Sequence, residues 1–415
     1  MISRRALGVT LAVISFLAAC SSSEEGVAPA STSTVSLSVS STAVSTTDVS
    51  STTAISTTVP VTVTPTTVPA VQESLPYPEL FNAAIRLHTL DAGSRDVSVA
   101  VVYDGQVIHS YAASSRKSSR AVDEQTSFRI ASISKILTAV TVLKLVERGQ
   151  LELDEPIVGR VADNIGLMLA DSRARDISVK QLLAHTSGIS NFLKIFFDTG
   201  AYDQMSMLSE TLGQSLSTEP GSAYKYSNVN YVLLGKAIEL VTELSYHDAV
   251  EQLVLAPLGL DSFRLVGTYE FGPSDALHAV SGGRTYMEQL GAAGAWVATA
   301  IDVVKMVDSI NADSPTLHIL NADLMKLMKV PATPKPVTPI WDYGLGLRLF
   351  VSGEWGHSGS IENVHSMAVH RPDGLVVAVL VNGSKPKETD DLIGAINDAV
   401  LAARTGVAAT TTVAP

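Results

Sequence analysis

Ser132 and Lys135 are the pair of residues in this chain best suited to nucleophilic chemistry. They lie three residues apart at the start of a strongly apolar segment, so a helix there places both side chains on one face. A serine hydroxyl is a weak nucleophile unless a base accepts its proton, and a lysine amine can accept it when burial lowers the lysine pKa. The helix N-terminus would also supply backbone N–H groups to an oxyanion.

The Ser-x-x-Lys spacing by itself has low specificity. It recurs in three polar segments, at Ser114/Lys117, Ser222/Lys225 and Ser384/Lys387. Only Ser132 opens a long helix whose interior would desolvate its lysine. The structural alternative for Ser132 is a helix N-cap.

Tyr226 and Asn228 form a second candidate segment, because Tyr-x-Asn occurs once in the chain and precedes another apolar helix. The Tyr226 hydroxyl is suited to relaying protons between Ser132 and a leaving group, and the Asn228 amide to holding a substrate carbonyl. The structural alternatives are that Asn228 caps the helix and that Tyr226 is a packed loop aromatic.

The third segment contains His357, Ser358, Gly359 and Ser360 within a glycine-rich stretch. An edge strand here would present the N–H of Ser360 opposite that of Ser132, and the two donors would complete an oxyanion hole. His357 alone would be an ordinary surface histidine. The ordered trio of segments makes coincidence improbable for each of them.

Composition excludes several classes of function. With 29 Lys+Arg against 41 Asp+Glu, the formal net charge is −12, which disfavours binding to nucleic acid. Cys20 is the only cysteine, so an intrachain disulfide and a cysteine-based metal site are excluded. The sequence also lacks the motifs of zincins, phosphate-loop enzymes and α/β-hydrolases. No metal or organic cofactor is implied.

The secondary-structure pattern predicts an α+β fold in which both chain ends build one sheet. Five strands are expected, at residues 97–103, 107–112, 343–350, 364–370 and 375–381. A terminal helix at 390–403 flanks the sheet, and the mostly helical segment 133–307 forms an inserted subdomain. The catalytic groove is expected where the five-stranded antiparallel sheet meets the helices.

The two chain ends read as segments outside the folded domain, which spans residues 72–403. Residues 1–19 have the charge and apolar pattern of a signal peptide, and the run ending at Cys20 resembles a bacterial lipobox that would lipidate this cysteine. The alternative is a free cysteine in an ordinary signal peptide. Residues 20–71 are rich in Ser and Thr and predict a disordered stalk, and residues 404–415 a disordered tail.

The three segments together resemble the serine β-lactamase and penicillin-binding protein superfamily, in its class C β-lactamase-like D-alanyl-D-alanine carboxypeptidase branch. Ser-x-x-Lys, Tyr-Ser-Asn and His-Ser-Gly occur in that family's order, 94 residues (132 to 226) and 131 residues (226 to 357) apart. Supporting signatures stand at residues 182–189, 257–260, 293–295 and 343–346. The resemblance extends from about residue 72 to 404.

By this resemblance, Ser132 is the acylated nucleophile, and Lys135 and Tyr226 share the general acid and base roles. Which of the two accepts the serine proton is left open. Asn228 would orient the acyl group, and residues 357–360 would bind substrate. His185 matches a family landmark and is expected to be a structural histidine that fixes its loop.

One departure from the family pattern bears on the substrate, because His357 stands where class C β-lactamases carry a lysine. Histidine is mostly neutral at pH 7, so efficient β-lactam hydrolysis becomes less expected. The leading expectation is a lipid-anchored D-alanyl-D-alanine carboxypeptidase or transpeptidase, outside the cytoplasmic membrane and facing the cell wall, acting on peptidoglycan stem peptides. The alternatives are an esterase or D-amidase on a small acyl substrate, a β-lactamase, and a non-catalytic protein that binds wall peptides.

Overall fold

The computed structural model describes residues 75–190, 196, 202–384 and 386–410. Cys20, the predicted signal peptide at 1–19 and the predicted stalk at 20–71 lie outside the described residues. Among the described helices, none is long and apolar enough to cross a membrane.

The central element of the fold is an antiparallel sheet of seven strands in the spatial order β2-β1-β10-β9-β8-β7-β6. Its strands are β1 (Asp96–Tyr103), β2 (Gln106–Ser114), β6 (Trp341–Tyr343), β7 (Arg348–Phe350), β8 (Trp355–Ile361), β9 (Val364–His370) and β10 (Val376–Asn382). A small second sheet has the order β3-β5-β4. Its strands are β3 (Phe128–Arg129), β4 (Arg264–Leu265) and β5 (Trp296–Ala298).

The α+β class and the contribution of both chain ends to the sheet are confirmed, and the predicted number of five strands is wrong. The segment 343–350 is two short strands, because Gly346 adopts a φ of +81° and the chain reverses there. The edge strand considered for the third segment, which was not among the five, is also present at Trp355–Ile361, although Gly356 and Gly359 give it low β-propensity. These two differences account for the two additional strands.

The sheet is covered on both faces, which explains why β10 is fully buried and apolar from Val376 to Val381. In β1, Val97, Val99 and Val101 belong to the core beneath the two terminal helices, whereas Ala100 and Val102 belong to the core of the helical part. This alternation follows the two-residue period of a strand. The sheet is thereby fixed between two helical layers. The inserted helical layer carries Ser132, Lys135 and Asn228, and the sheet itself carries the third segment on β8.

The helices divide between the two faces of the sheet. The terminal helices α1 (Pro78–His88) and α12 (Asp391–Thr405) pack against each other and cover one face. The other α-helices given by the described residues are α2 (Ser134–Glu147), α3 (Val158–Ile165), α4 (Val179–Leu183), α5 (Gln204–Leu212), α6 (Asn228–Thr242), α7 (Tyr246–Val250), α8 (Ala256–Leu258), α9 (Tyr286–Leu290), α10 (Ala300–Asp308) and α11 (Ala322–Met328).

The helical segment that follows α6 consists of α7 and a π-helical turn, Glu251–Leu255. The last helix runs two residues past its predicted end, to Thr405, and Gly406 follows it in the left-handed conformation that commonly closes helices.

Helix α2 positions the catalytic pair because it is buried on almost every side. All residues from Ser134 to Leu143 are buried, and the helix packs against α6, α7 and the turn Gly291–Ala293. A helix that is apolar all round belongs in a protein core. Lys135 on this helix is therefore shielded from water by the fold itself.

Candidate active site

Ser132 lies in a short 3₁₀-helical turn, Ala131–Ile133, that leads directly into α2. Ala131 has a φ of +47°, a left-handed conformation that few non-glycine residues adopt and that often marks functional sites. The N-cap of α2 is Ile133, and no side chain caps the helix. The alternative in which Ser132 is a helix cap is therefore wrong.

Lys135 is fully buried and lies beside the hydroxyl of Ser132. Its Nζ is 3.1 Å from Ser132 Oγ, 2.8 Å from Asn228 Oδ1 and 2.7 Å from the carbonyl oxygen of Ala293. Burial holds the pKa of Lys135 well below its ordinary value, which favours the neutral amine. The lysines of the other three Ser-x-x-Lys pairs are exposed, so burial singles out this pair.

Tyr226 also contacts Ser132 and donates a hydrogen bond from its hydroxyl to Ser132 Oγ at 2.8 Å. Its ring lies 4.3 Å from the ring of His185 and 5.0 Å from Lys135 Nζ. Burial raises the pKa of Tyr226 above its ordinary value, so the side chain is a neutral phenol. A neutral phenol can donate a proton and is a poor resting base.

Asn228 contacts Lys135, and His185 packs against Tyr226. Asn228 begins α6, and its Oδ1 accepts a hydrogen bond from Lys135. The N-cap of α6 is Ser227, which excludes the helix-cap alternative for Asn228. His185 is fully buried, and its Nδ1 accepts from the backbone N–H of Ser227, as expected for a histidine that fixes its loop.

Strand β8 carries the third predicted segment to the same place. Strand β8 pairs with β7 only as far as Gly356. From His357 onward, this edge of β8 is therefore not paired with β7. His357 and Ser360 line one cavity together with Ser132 and Tyr226. Ser358 lines it too, whereas Gly359 packs against the residues just before Ser132.

His357 is neutral and uses both ring nitrogens within the protein. Nδ1 donates to the carbonyl oxygen of Ser358 at 2.5 Å, because a carbonyl can only accept, and Nε2 then accepts from the Tyr343 hydroxyl at 2.9 Å. Burial lowers the pKa of His357 to about 3. The third segment therefore offers no cation at His357.

The cavity has a volume of about 460 Å³, and four of its eleven lining residues are Tyr or Trp. Its lining residues are Ser132, Tyr224, Tyr226, Val337, Trp341, Tyr343, Arg348, His357, Ser358, Ser360 and Thr389. Sequence reasoning missed Arg348 and Trp341. The available signal for Arg348 was a cation in an otherwise apolar segment, two residues after the 343–346 signature. Within the described ranges, no three His, Cys, Asp or Glu residues are grouped as a metal site requires.

Gly359 holds β8 close to the nucleophile turn. A Cβ at this position would lie 2.5 Å from the Ile130 carbonyl oxygen and 2.9 Å from Ala131 Cβ, and closer still to Ser366 Oγ. Gly359→Ala is therefore expected to lower the free energy of unfolding by about 1–3 kcal/mol and to reduce turnover, because β8 must move away from Ser132. Urea denaturation and steady-state kinetics measure the two effects.

The matched control is Gly394→Ala in helix α12, where an added Cβ meets no atom within 4 Å. This variant is expected to be more stable than the wild type by roughly 0.5–1 kcal/mol. If Gly359→Ala had the same stability and turnover as the wild type, that result would contradict the close approach of β8 to Ser132.

The buried histidines predict loss of stability in acid. Since the pKa of His357 is about 3 in the folded protein and about 6.5 in an unfolded chain, only the unfolded chain binds this proton between those values. Stability from this group is complete above pH 6.5 and is lost as the pH falls toward 3, by about 1.4 kcal/mol per pH unit. His357→Gln is expected to reduce the slope of the unfolding free energy against pH by the contribution of one proton, about 1.4 kcal/mol per pH unit.

His278 provides the comparison for that experiment, because burial also lowers its pKa to about 3 and it lies outside the lining of the cavity. His278→Gln should reduce the same slope without changing KM, whereas His357→Gln should change both. An unchanged slope in His357→Gln between pH 4.5 and 6.5 would show that this ring is not held neutral.

Comparisons with known proteins agree with this geometry. A family model described as Beta-lactamase matches residues 81–401. Esterase EstB from Burkholderia gladioli is 27% identical over 335 residues, which is 69% of this chain and 85% of that protein. Penicillin-binding protein 4 from Amycolatopsis lactamdurans is 28% identical over 325 residues, covering 69% of this chain and 80% of that protein.

Among solved structures, the D-amino acid amidase from Ochrobactrum anthropi SV3 complexed with L-phenylalanine superposes with a TM-score of 0.65. It is 26% identical, and the match covers 78% of this chain and 98% of the amidase.

Proposed function

The chain belongs to the Beta-lactamase family and is a serine hydrolase, and from that premise we propose that it cleaves an ester or amide bond through an acyl-enzyme on Ser132. One observation carries this proposal: Ser132 Oγ lies 3.1 Å from Lys135 Nζ and 2.8 Å from the Tyr226 hydroxyl, at the wall of a cavity. A hydroxyl between an amine and a phenol has both a proton acceptor and a proton donor within reach.

Lys135 is the group that accepts the serine proton in this proposal. A neutral amine has two N–H groups and one lone pair. Asn228 Oδ1 and the Ala293 carbonyl oxygen can only accept, so they engage the two N–H groups. The lone pair is then directed at Ser132, and the depressed pKa of Lys135 keeps it available.

Tyr226 serves as the proton donor. Its neutral phenol can protonate the leaving group while the bond from the substrate carbonyl carbon to the leaving group breaks. The proton that Lys135 takes from Ser132 then replaces the one given by Tyr226. In the second step a water molecule attacks the ester on Ser132, and the same groups carry the proton in the opposite direction.

The oxyanion of each step would be held by backbone N–H groups. The candidates are the N–H of Ser132, at the start of α2, and that of Ser360 on the free part of the β8 edge. Asn228 orients Lys135 and, as a further proposal, binds the substrate carbonyl at the acyl side.

The preferred substrate class is an ester or D-amide of a compound without a free carboxylate beside the scissile bond. His357 is neutral, and Arg348, which lines the cavity, is already paired with Asp390. Similarity to an esterase and to a D-amino acid amidase supports this class. A D-alanyl-D-alanine peptidase on peptidoglycan peptides is the second candidate, supported by similarity to a penicillin-binding protein.

A substrate panel tests this proposal. The wild-type chain and Ser132→Ala are compared on p-nitrophenyl butyrate, D-phenylalaninamide, diacetyl-L-Lys-D-Ala-D-Ala and a chromogenic cephalosporin. The ester or the D-amide should be hydrolysed with a kcat/KM at least about tenfold above the other two, and Ser132→Ala should hydrolyse none. Faster cleavage of the D-Ala-D-Ala peptide would favour the second candidate. Reversible binding of the peptide without turnover would indicate a binding protein.

We propose further that the chain is exported and lipid-anchored through Cys20, with the Ser/Thr-rich stalk holding the hydrolase domain toward the cell wall. The lipobox-like run before Cys20 and the composition of residues 21–70, of which 26 are Ser or Thr, support this. Expression with an alkyne-tagged fatty acid should label the wild type and leave Cys20→Ser unlabelled. Equal labelling of both chains would refute the anchor.

A further inference from the structure

Arg348 is a buried cation at the wall of the cavity and faces the third catalytic segment. Its side chain is 7% exposed, and its guanidinium lies 4.2 Å above the ring of Trp341. Nη1 donates to Ser358 Oγ at 2.6 Å. Arg348 therefore lies where its guanidinium could interact with a charged group of a bound substrate.

The charge of Arg348 is already compensated by a residue of the protein. Asp390 accepts from Nη1 at 2.6 Å and from Nη2 at 2.8 Å, so the two side chains form a bidentate pair. The Asp390 side chain is 47% exposed and directly follows Thr389, which lines the cavity. The guanidinium thus lies in the wall of the cavity, and its carboxylate partner is partly exposed and outside the lining.

The charge balance of the cavity follows from this pair. Of the lining residues, Arg348 is the one with a formal charge at neutral pH, since the four aromatic side chains, the hydroxyls and Val337 carry none. His357 donates through one ring nitrogen and accepts through the other, as a neutral imidazole does. With Asp390 bound to Arg348, the described wall of the cavity has no uncompensated cation.

We propose that Asp390 is the residue that excludes substrates with a free carboxylate, by occupying Arg348 with a carboxylate of the protein. This inference rests on the proposed hydrolysis at Ser132 and names its substrate class more closely. A substrate carboxylate would have to compete with a bidentate partner that is covalently part of the chain, and it would stand close to the negative charge of Asp390. Neutral esters and amides have no carboxylate, so they neither compete with Asp390 for Arg348 nor are repelled by its charge.

The test compares two matched pairs of esters that differ only in a free acid or its methyl ester. One pair is 3-acetoxybenzoate and methyl 3-acetoxybenzoate, with the charge on the leaving group. The other is p-nitrophenyl hemisuccinate and its methyl ester, with the charge on the acyl group. Asp390→Asn is compared with Asp391→Asn, which makes the same change at the next residue without touching Arg348.

The wild type should favour the neutral member of at least one pair by about tenfold or more in kcat/KM. Asp390→Asn should reduce that preference by about tenfold through KM, the scale of one charged hydrogen bond, with kcat for the neutral ester nearly unchanged. Asp391→Asn should behave as the wild type. The double variant Arg348→Gln/Asp390→Asn should lose the gained affinity for the acid.

A binding measurement separates this inference from the proposed function. In the Ser132→Ala background, calorimetric titration with 3-acetoxybenzoate should show roughly tenfold tighter binding after Asp390→Asn, whether or not the wild type turns over any ester. Equal affinity of Ser132→Ala and Ser132→Ala/Asp390→Asn for 3-acetoxybenzoate would overturn the role of Asp390. A wild type that already hydrolyses the acid in preference to the methyl ester would overturn it too. Failure of every ester and of D-phenylalaninamide to be hydrolysed would instead count against the proposed function.

Discussion

Ser132→Ala is expected to lower kcat/KM for the best substrate by at least about 10⁴-fold, because it removes the oxygen that forms the acyl-enzyme. The variant should keep the wild-type thermal midpoint, since Ser132 makes no helix-capping contact that the fold depends on. Stopped-flow hydrolysis together with a thermal melt measures both quantities on one preparation.

Ser134→Ala is the matched control for this variant. Ser134 lies two residues away and is fully buried, and its Oγ has no hydrogen-bond partner within the described part of the chain. It does not line the cavity. Its removal should leave turnover within about twofold of wild type. Comparable loss of activity in both variants would mean that disturbing the turn, and not removing a nucleophile, explains the effect.

Lys135→Met is expected to lower the rate of Ser132 acylation by at least about a hundredfold, the scale of lost general-base catalysis. Methionine fills similar space but has no lone pair at the position of Nζ to accept the serine proton. The acylation rate of the wild type should rise with pH as Lys135 loses its proton, and that rise should lie below the ordinary lysine pKa. Rapid-quench kinetics across pH 5–10 follow both effects.

The control for Lys135→Met is Lys144→Met, on the same helix but bound to Glu147 and to the Ile319 carbonyl oxygen. That substitution should leave the pH profile of acylation unchanged. If Lys135→Met kept both a near-normal acylation rate and the wild-type pH profile, Tyr226 or a water molecule would have to be the base.

The contiguous parts of the catalytic site could be predicted from the sequence because their chemistry is local. Ser132 and Lys135 are one helical turn apart, and that spacing alone brings an amine to a hydroxyl. The burial of Lys135 was also expected, from the apolar residues that follow it. The contact between Tyr226 and Ser132 spans 94 residues. The chemistry of Tyr226 suggested a proton relay to Ser132, but the spacing alone could not show that the two residues meet, and the family resemblance supplied that expectation.

The pairing of Arg348 with Asp390 shows what the sequence could not provide. Forty-two residues separate the two side chains, and they meet because β7 lies near the start of α12. Strand β7 itself was merged with β6 in the prediction, since the reversal at Gly346 carries no polar turn residues. Without the correct number of strands, the edge that brings Arg348 to Ser358 could not be located.

The role of Asn228 illustrates a different limit. Helix capping and substrate binding are both reasonable uses of an asparagine at a helix start, and the sequence favours neither. The structure excludes the cap and shows the contact with Lys135 Nζ, an interaction that depends on how α2 and α6 pack. Packing between helices is decided by many small contacts, which a local pattern does not encode.

The most direct test of the account is to locate the acyl group on the chain. The protein is mixed with p-nitrophenyl butyrate, quenched in acid within the first turnover and digested for mass spectrometry. We predict a butyryl group on Ser132 in the wild type and none in Ser132→Ala. A butyryl group on Ser114, Ser222 or Ser384 instead, or undiminished hydrolysis by Ser132→Ala, would contradict the claim that the three segments converge to activate Ser132.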